Sequence, residues 1–564
     1  MDDVDLVLVG GEVLTVDPAF TVREAIAVGG GRVVATGTTP EVLALAGKRT
    51  RVVELRGRTV LPGINDSHLH GCAFGASLPP LELDVSFPAV RSLADIRAAV
   101  AAECVAEGPG VPIVGNGWDL GYLEGYKGTD RLPTRWDLDD VSPDNPVYLQ
   151  DFSRHLAWVN TKWLELAGVH SDAAAPPGGV VHRDPARGIT GLFAEGAQGL
   201  VQHVLPELTE DRRRAAIAAT INQLHALGIT SYTEPGLGSG GFSLMGGAMS
   251  THTLETYTDL ARVGELPARV SVLWLPSDMA GSAAEVKRSL REVVLSSDVD
   301  QRRLRLIGGK LFADGIPPAK TAWMHQEYAG GGFGSLCVHG DNDHERAIEL
   351  HEMIRLVHAA GLQVGVHVTG DAAIDAVLDG LEAAEAAHPG AASRHYVIHG
   401  DFTGPTAMRR LARAGYGLNM NPGIKATISD LMDEMLGEER SAAQWPVRSA
   451  VRAGVHVSSS SDAPVTKPDW REAVAAMLLR ESKATGRVSG RDEVVDLTTA
   501  VRAYTIEPAW QDFAEDWKGS LEPGKVADLC VLGGSLLSAD PHDIPDVPVD
   551  MTVFDGEVVY DRLR

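Results

Sequence analysis

The sequence predicts an α/β protein: a (β/α)8 TIM barrel, a small β-domain built from both termini, and a long insertion within the barrel. Three observations predict it. A phrase of helix, glycine, short apolar strand and polar residue recurs through the middle of the chain. Glycine-broken runs of β-branched residues stand at both ends. The stretch from about 75 to 215 breaks the rhythm.

The terminal runs are Asp5–Val16 and Ala25–Ala35 at one end and Asp528–Leu532 and Met551–Tyr560 at the other, the last turning at Asp555-Gly556. Each reads as a strand or hairpin, and a lone hairpin is marginal in water. One shared β-domain, residues 1–60 plus 520–564, satisfies all of them. Between them, over 61–519, the recurring phrase appears in His225–Glu234, Leu356–His367, Leu411–Asn419 and Val451–Asp462. Leu350, Met353, Ile354 and Val357 form one helical stripe before Gly361, where glycine supplies a left-handed cap. Helix, glycine and strand in repetition is the grammar of a parallel sheet. A doubly wound sheet is the rival. It wants a glycine-rich phosphate loop after its first strand, and no GxGxxG follows a strand here. The insertion, 75–215, carries Trp118, Trp136, Trp158 and Trp163 between the prolines Pro79-Pro80 and Pro176-Pro177. It is too long for a plain loop and reads as a cap over the strand ends.

Composition narrows the function. A formal charge of −26 argues against nucleic acid and anionic membranes, both polyanions. No apolar run is long enough to span a bilayer, and the acidic start lacks the basic region of a signal peptide. Cys72, Cys104, Cys337 and Cys530 are scattered and form no CxxC, which fits a reducing cytoplasm. A small-molecule substrate is the expected partner, and the sequence leaves monomer and homodimer both open.

Chemistry is expected where strands stop, because a barrel's interior is packed and its sites lie at the carboxyl ends. Leu61-Pro-Gly-Ile-Asn-Asp-Ser-His68-Leu-His70 is the sharpest local signal. On a strand, residues two apart face the same way, so His68 and His70 point together like two ligands of one ion. An HxH pair alone is common and is often no more than two hydrogen-bonded histidines. His367, His399 and Asp462 each close a later strand, and each singly is an ordinary buried polar residue. Together they make four imidazoles and a carboxylate at the ends of successive strands, which coincidence explains poorly. Lys310 sits mid-way in an apolar strand, Leu304–Asp314. A buried ammonium must be paired or neutralised. A salt bridge to Asp314 and carbamylation of the neutral amine by carbon dioxide are equal explanations.

These segments resemble the amidohydrolase superfamily, and within it the YtcJ-like or amidohydrolase-3 group that includes N-substituted formamide deformylases. The resemblance runs nearly end to end, through Pro62–His70, His155–Gly168, Lys310–Gly315, His367–Asp371, Ser461–Val465 and Gly519–Asp528. It implies a deformed barrel with a terminal β-sandwich. It also implies metal ligands His68 and His70 on the first strand, Lys310 on the fourth, His367 on the fifth, His399 on the sixth and Asp462 on the eighth. The lysine is often carbamylated in this superfamily, so a bridged pair of divalent ions, zinc first, is the leading expectation. His155, in the insertion, resembles the histidine that reaches the substrate. Three positions depart from the group's pattern: Ile398 where glutamate usually precedes the sixth-strand histidine, Ala372 where arginine commonly stands, and Lys320 for a frequent arginine.

The expected activity is therefore metal-dependent hydrolysis of a C–N bond in an amide, formamide or cyclic amide. Asp462 is the expected general base, and His155 the donor to the developing oxyanion. Trp118 and Asp314 are candidate substrate contacts, although tryptophans in an insertion are more often packing. A mononuclear heterocycle deaminase, in which Lys310 would not ligate, is the enzymatic alternative. A non-catalytic barrel with a binding or regulatory role is the alternative from another class. It predicts a broken ligand set, and all six ligand positions carry competent residues.

Overall fold

Eight parallel strands form one sheet and follow one another in chain order: β1 (Ile64–Asp66), β2 (Ile229–Leu237), β3 (Arg269–Trp274), β4 (Leu304–Phe312), β5 (Gln363–Val368), β6 (Tyr396–His399), β7 (Gly417–Met420) and β8 (His456–Ser459). They come from a computed structural model that describes residues 4–120, 123–126, 129, 131–152, 156–175, 179–206, 208–242, 244–293, 298–389 and 393–562. The predicted α/β barrel is present and nearly closed. At the seam the Ser67 hydroxyl donates to the Ser459 carbonyl at 2.7 Å, and just beyond it the Asp462 N–H donates to the His68 carbonyl at 2.9 Å. Gly228, Gly361, Gly415 and Gly454, which close the helices of the repeated phrase, have φ of 77°, 75°, 68° and 85°. That left-handed turn is what lets each helix hand over to a strand.

The amino ends of the strands are plugged by residues 504–518. Arg305 on β4 donates to the Asp512 carbonyl at 2.9 Å, Gln363 on β5 to the Gln511 carbonyl at 3.0 Å, and Arg394 before β6 to the Trp510 carbonyl at 2.7 Å. Inside, the Asp512 carboxylate accepts from Asn65 at 3.0 Å, Thr233 at 2.9 Å and Lys518 at 2.7 Å. With that end filled, the carboxyl ends are left for chemistry.

Strands from both termini share sheets. Thr59–Pro62 pairs antiparallel with Leu529–Leu532, which pairs with Val549–Phe554, in a six-stranded sheet. A four-stranded sheet contains Leu6–Val9, Ala25–Gly29, Arg32–Gly37 and Arg51–Glu54. Strand periodicity sorts its residues: Leu6, Leu8, Ile26 and Val28 join a core with Val60, Leu529, Val531 and Val553, while Val7, Val9, Ala25 and Ala27 pack with Val42 on the other face.

Arg269, at the start of β3, ties this β-structure to the barrel. Its guanidinium meets Asp528 at 2.6 and 2.9 Å and Asp555 at 3.1 Å, and Arg269 and Asp528 are both buried. Breaking a buried pair strands the remaining charge, so Arg269→Met is expected to cost about 3–5 kcal/mol in chemical denaturation. A loss below about 1 kcal/mol, the worth of a surface pair, would show that the site is solvated in solution.

A second buried contact fixes a pH dependence. The Val364 N–H donates to His395 Nδ1 at 2.9 Å, so the His395 proton is on Nε2, 2.8 Å from His358 Nδ1, and His358 Nε2 then donates to the His388 carbonyl at 3.0 Å. Burial, with His358 adding to it, pushes His395 down to about 3. Between the ordinary histidine value near 6.5 and that value, only the unfolded chain takes up this proton. Stability is therefore unaffected above about pH 6.5 and falls below it, by up to about 1.4 kcal/mol per pH unit. His395→Phe is expected to flatten the slope of unfolding free energy against pH between 6.5 and 4.5 by about one proton. An unchanged slope would refute the assignment.

Residues Gly71–Thr220 with Phe242–Met249 form a compact unit of their own. It holds a six-stranded mixed sheet running from Leu83–Asp84 to Gly179–Asp184. Two hydrophobic clusters contain Trp118 with Trp158, and Tyr148 with Trp163. Asn160 braces it, accepting from the Val147 and Trp163 N–H groups at 3.0 and 2.9 Å and so capping the helix Thr161–Leu166. Pro176 and Pro177 lie outside the described residues.

Candidate metal centre

The β1 segment assigns one task to each residue of Asn65–His70. Asn65 faces the plugged end. Asp66 accepts from the Ser461 N–H at 3.1 Å and the His68 N–H at 3.3 Å, so it clamps the two ligand-bearing loops together. Burial pushes its carboxyl up to about 7 despite those donors. Ser67 closes the seam. His68 and His70 stand just beyond the strand, which ends at Asp66, and not on it as alternation predicted. Their backbone bonds go instead to the β8 loop, where the His70 N–H donates to the Ala463 carbonyl at 2.9 Å. The rings still lie together, centroids 5.4 Å apart and edge-on.

Asp462 meets them. Its Oδ1 is 3.2 Å from His68 Nε2 and 3.5 Å from His70 Nε2, and donor atoms of the three residues lie within 4.8 Å of one another. The sheet register brings up the rest. Phe312 pairs with His367, and Val368 with His399, so the ligand-bearing ends of β4, β5 and β6 are level. The His399 ring is 5.2 Å from His68 and 4.6 Å from His367. His399 and Asp462 have φ of 70° and 57°. Such left-handed backbone at non-glycine residues is held by its surroundings and clusters at functional sites.

The electrostatics suit a cation. Burial, reinforced by Lys310, drives His68 well below the ordinary histidine value, and burial with His399 does the same to His367. Both are neutral imidazoles, the form that ligates metal. Burial opposes protonation of His70 as well, but the carboxylates of Asp462 and Glu234 outweigh it and raise its value. His68 Nδ1 is buried without a hydrogen-bond partner, and His68 Nε2 and His70 Nδ1 form no well-aligned bond, meeting only the Asp462 and Glu234 carboxylates at 3.2 and 3.7 Å. Buried polar atoms are rarely left so. An ion held by these donors resolves that deficit, and the donor set fits a divalent metal of zinc type.

Lys310 is buried on β4, its Nζ 5.0 Å from the Phe312 ring centroid. Burial lowers its amine to about 7, Asp462 only partly opposing. No salt bridge joins it to Asp314 among the described residues. Asp314 instead accepts backbone N–H bonds from Trp323 at 2.8 Å, Thr369 at 3.0 Å and Gly370 at 2.9 Å, bracing the loops after β4 and β5. Trp118 is buried in the core of its own unit, its indole N–H donating to the Leu149 carbonyl at 3.1 Å and its ring edge-on to Trp158. His155 lies outside the described residues.

Two groups at the site were not singled out from sequence. Glu234, buried on β2, has Oε1 3.7 Å from His70 Nδ1 and accepts from the Tyr257 hydroxyl at 3.4 Å. Its only signal was that it closes the same helix–glycine–strand phrase as the ligands. Asn421, beyond β7, has Oδ1 2.7 Å from His399 Nδ1.

Comparison with known proteins is consistent with this geometry. The family described as "Amidohydrolase family" matches residues 51–560. The chain is 28% identical to an N-substituted formamide deformylase of Arthrobacter pascens, covering 99% of this chain and 98% of that one. It is 27% identical to the YtcJ protein of Bacillus subtilis, over 98% and 99%. A solved structure of an uncharacterized metal-dependent hydrolase from Pyrococcus furiosus is similar, with 25% identity, a TM-score of 0.71, and coverage of 95% of this chain and 99% of that one.

Proposed function

The chain belongs to the amidohydrolase family, and from that premise we propose that it hydrolyses a C–N bond of a small amide, formamide or cyclic amide at a centre held by His68, His70, Lys310, His367, His399 and Asp462. One or two divalent ions, zinc first, fit that donor set. The observation that carries the proposal is the convergence of three buried imidazoles, a partly buried fourth and a carboxylate at the carboxyl ends of β1, β5, β6 and β8, with His68 Nδ1 lacking any hydrogen bond.

A divalent metal bound there supplies Lewis acidity and a water acidified to near neutrality. The chain's own part follows from its geometry. In this reading the Asp462 carboxylate accepts a proton as water attacks the carbonyl carbon, then returns it to the leaving nitrogen. His68, His367 and His399 stay neutral and hold their positions. Phe312, 5.5 Å from His367 and 5.0 Å from the lysine amine, packs an apolar ring beside both. The relative that acts on N-substituted formamides makes N-formyl compounds the first substrates to try.

Purified protein loaded with zinc should be screened against N-formyl, N-acyl, cyclic amide and carbamate compounds. Exhaustive chelation is expected to remove turnover, and a single added divalent metal to restore it. Hydrolysis that survives complete metal removal would end the proposal.

A further inference from the structure

β7 offers no ligand to the centre, yet one asparagine on it and another just past its end face inward. Asn419 lies on the strand and Asn421 two residues on, both fully buried. Their partners are Ser67 after β1 and Ser460 after β8, and each bond in the chain has a definite polarity.

Asn419 Nδ2 donates to the Ser67 carbonyl at 3.3 Å and to the Ser67 hydroxyl at 2.7 Å. A carbonyl only accepts, so this end of the amide is nitrogen and its Oδ1 faces the other way. That oxygen accepts the Ser460 hydroxyl at 2.7 Å. Ser460 has then spent its one proton, and toward Asn421 it can only accept, which it does from Nδ2 at 3.0 Å. The Ser460 carbonyl, 3.4 Å from the same Nδ2, enforces the same orientation. Asn421 Oδ1 is thereby turned to His399 Nδ1 at 2.7 Å and can only accept. The proton of the imidazole must be on Nδ1, and the lone pair on Nε2.

We propose that Asn421 is a positioning residue that fixes His399 as its Nδ1–H tautomer and so presents Nε2 to the ion. The inference rests on the metal centre proposed above and adds the source of its orientation. A ligating histidine whose other nitrogen is hydrogen-bonded is oriented and made more basic, and losing that partner costs 10–100-fold in metal affinity. The chain runs on to Gln511, whose Oε1 accepts the Ser458 hydroxyl at 2.6 Å and whose Nε2 donates to the Ser67 carbonyl at 3.1 Å. The plugged end of the barrel and the centre therefore belong to one hydrogen-bonded network, and Ser458 and Ser460 of the serine run supply its middle.

The test is zinc affinity, measured by competition with a chromophoric chelator on the full chain, with the melting temperature of the metal-free protein beside it. Asn421→Leu keeps the volume and removes the acceptor, and a 10–100-fold weaker affinity is expected. Asn421→Asp keeps an acceptor toward His399 and gives up the donation to Ser460, and it is expected to retain most of the affinity. If the leucine variant does not fold, Asn421→Ala is read in its place, with the same loss expected. Unchanged affinity without the acceptor overturns the inference. So does an equal loss in the leucine and aspartate variants, which would make the amide a structural brace alone. A wild-type chain that takes up no zinc overturns the centre itself, and that result is separate from either.

Discussion

Replacing Asp462 by asparagine is expected to lower kcat by two to four orders of magnitude while zinc stays bound, the loss that follows removal of a positioned general base. Asparagine is the right substitution on two grounds. It keeps an oxygen where Oδ1 meets His68 Nε2 at 3.2 Å and His70 Nε2 at 3.5 Å. It also tolerates the left-handed backbone at this residue, φ 57°, which would add strain to an alanine variant and confuse the result. What it cannot do is accept a proton. Metal content by elemental analysis and kcat on the best substrate from the screen decide the matter together. Wild-type turnover would remove Asp462 from the proton transfers, and loss of metal would make it first of all a ligand.

The residues that sequence exposed best are those whose chemistry contradicts their surroundings. A histidine or aspartate ending an apolar run is ordinary by itself, but His68, His70, His367, His399 and Asp462 repeat that placement strand after strand, and the repetition sets them apart. The barrel was legible for a related reason: helix, glycine and strand repeat with a period that only a parallel sheet uses well. What sequence handled poorly was partnership. Lys310 and Asp314 are four apart, a spacing that brings side chains together on a helix. Along a strand at about 3.3 Å per residue it separates them by roughly 13 Å. Lys310 belongs to β4, and Asp314, past its end, turns to the N–H groups of Thr369 and Gly370.

Asn421 and Glu234 were hidden differently. An asparagine after a strand is commonplace, and its value here depends on Ser460, 39 residues away, and on the register of β7 against β8. No pattern within either segment encodes that meeting. Glu234 ended a recognised phrase, but a lone carboxylate carries no spacing signature to set it apart from a solvated one. The β1 histidines show a third limit. Alternation grouped the right pair on the wrong element, because the strand gives way to a loop once its backbone finds partners in the β8 segment.

Replacing Lys310 by methionine is expected to remove one of two bound ions and to lower kcat on the order of 10³-fold, the rate equivalent of the several kcal/mol that a second metal would contribute. The argument starts from burial. An ammonium buried on β4 without a salt bridge to any acid among the described residues is costly, and its amine is lowered to about 7. At neutral pH a large fraction is therefore the free amine, which can add to carbon dioxide. Nitrogen bonds to carbon, a proton is released, and the side chain ends in a carboxylate that suits the cations His68, His367 and His399 would share. Lys310→Ala leaves room for a substitute, so millimolar acetate or propionate is expected to recover part of its activity and its second metal. If the methionine variant keeps full activity and a wild-type metal count near one per chain, Lys310 is no ligand. The site is then mononuclear, and deamination of a heterocycle displaces amide hydrolysis as the reaction to test.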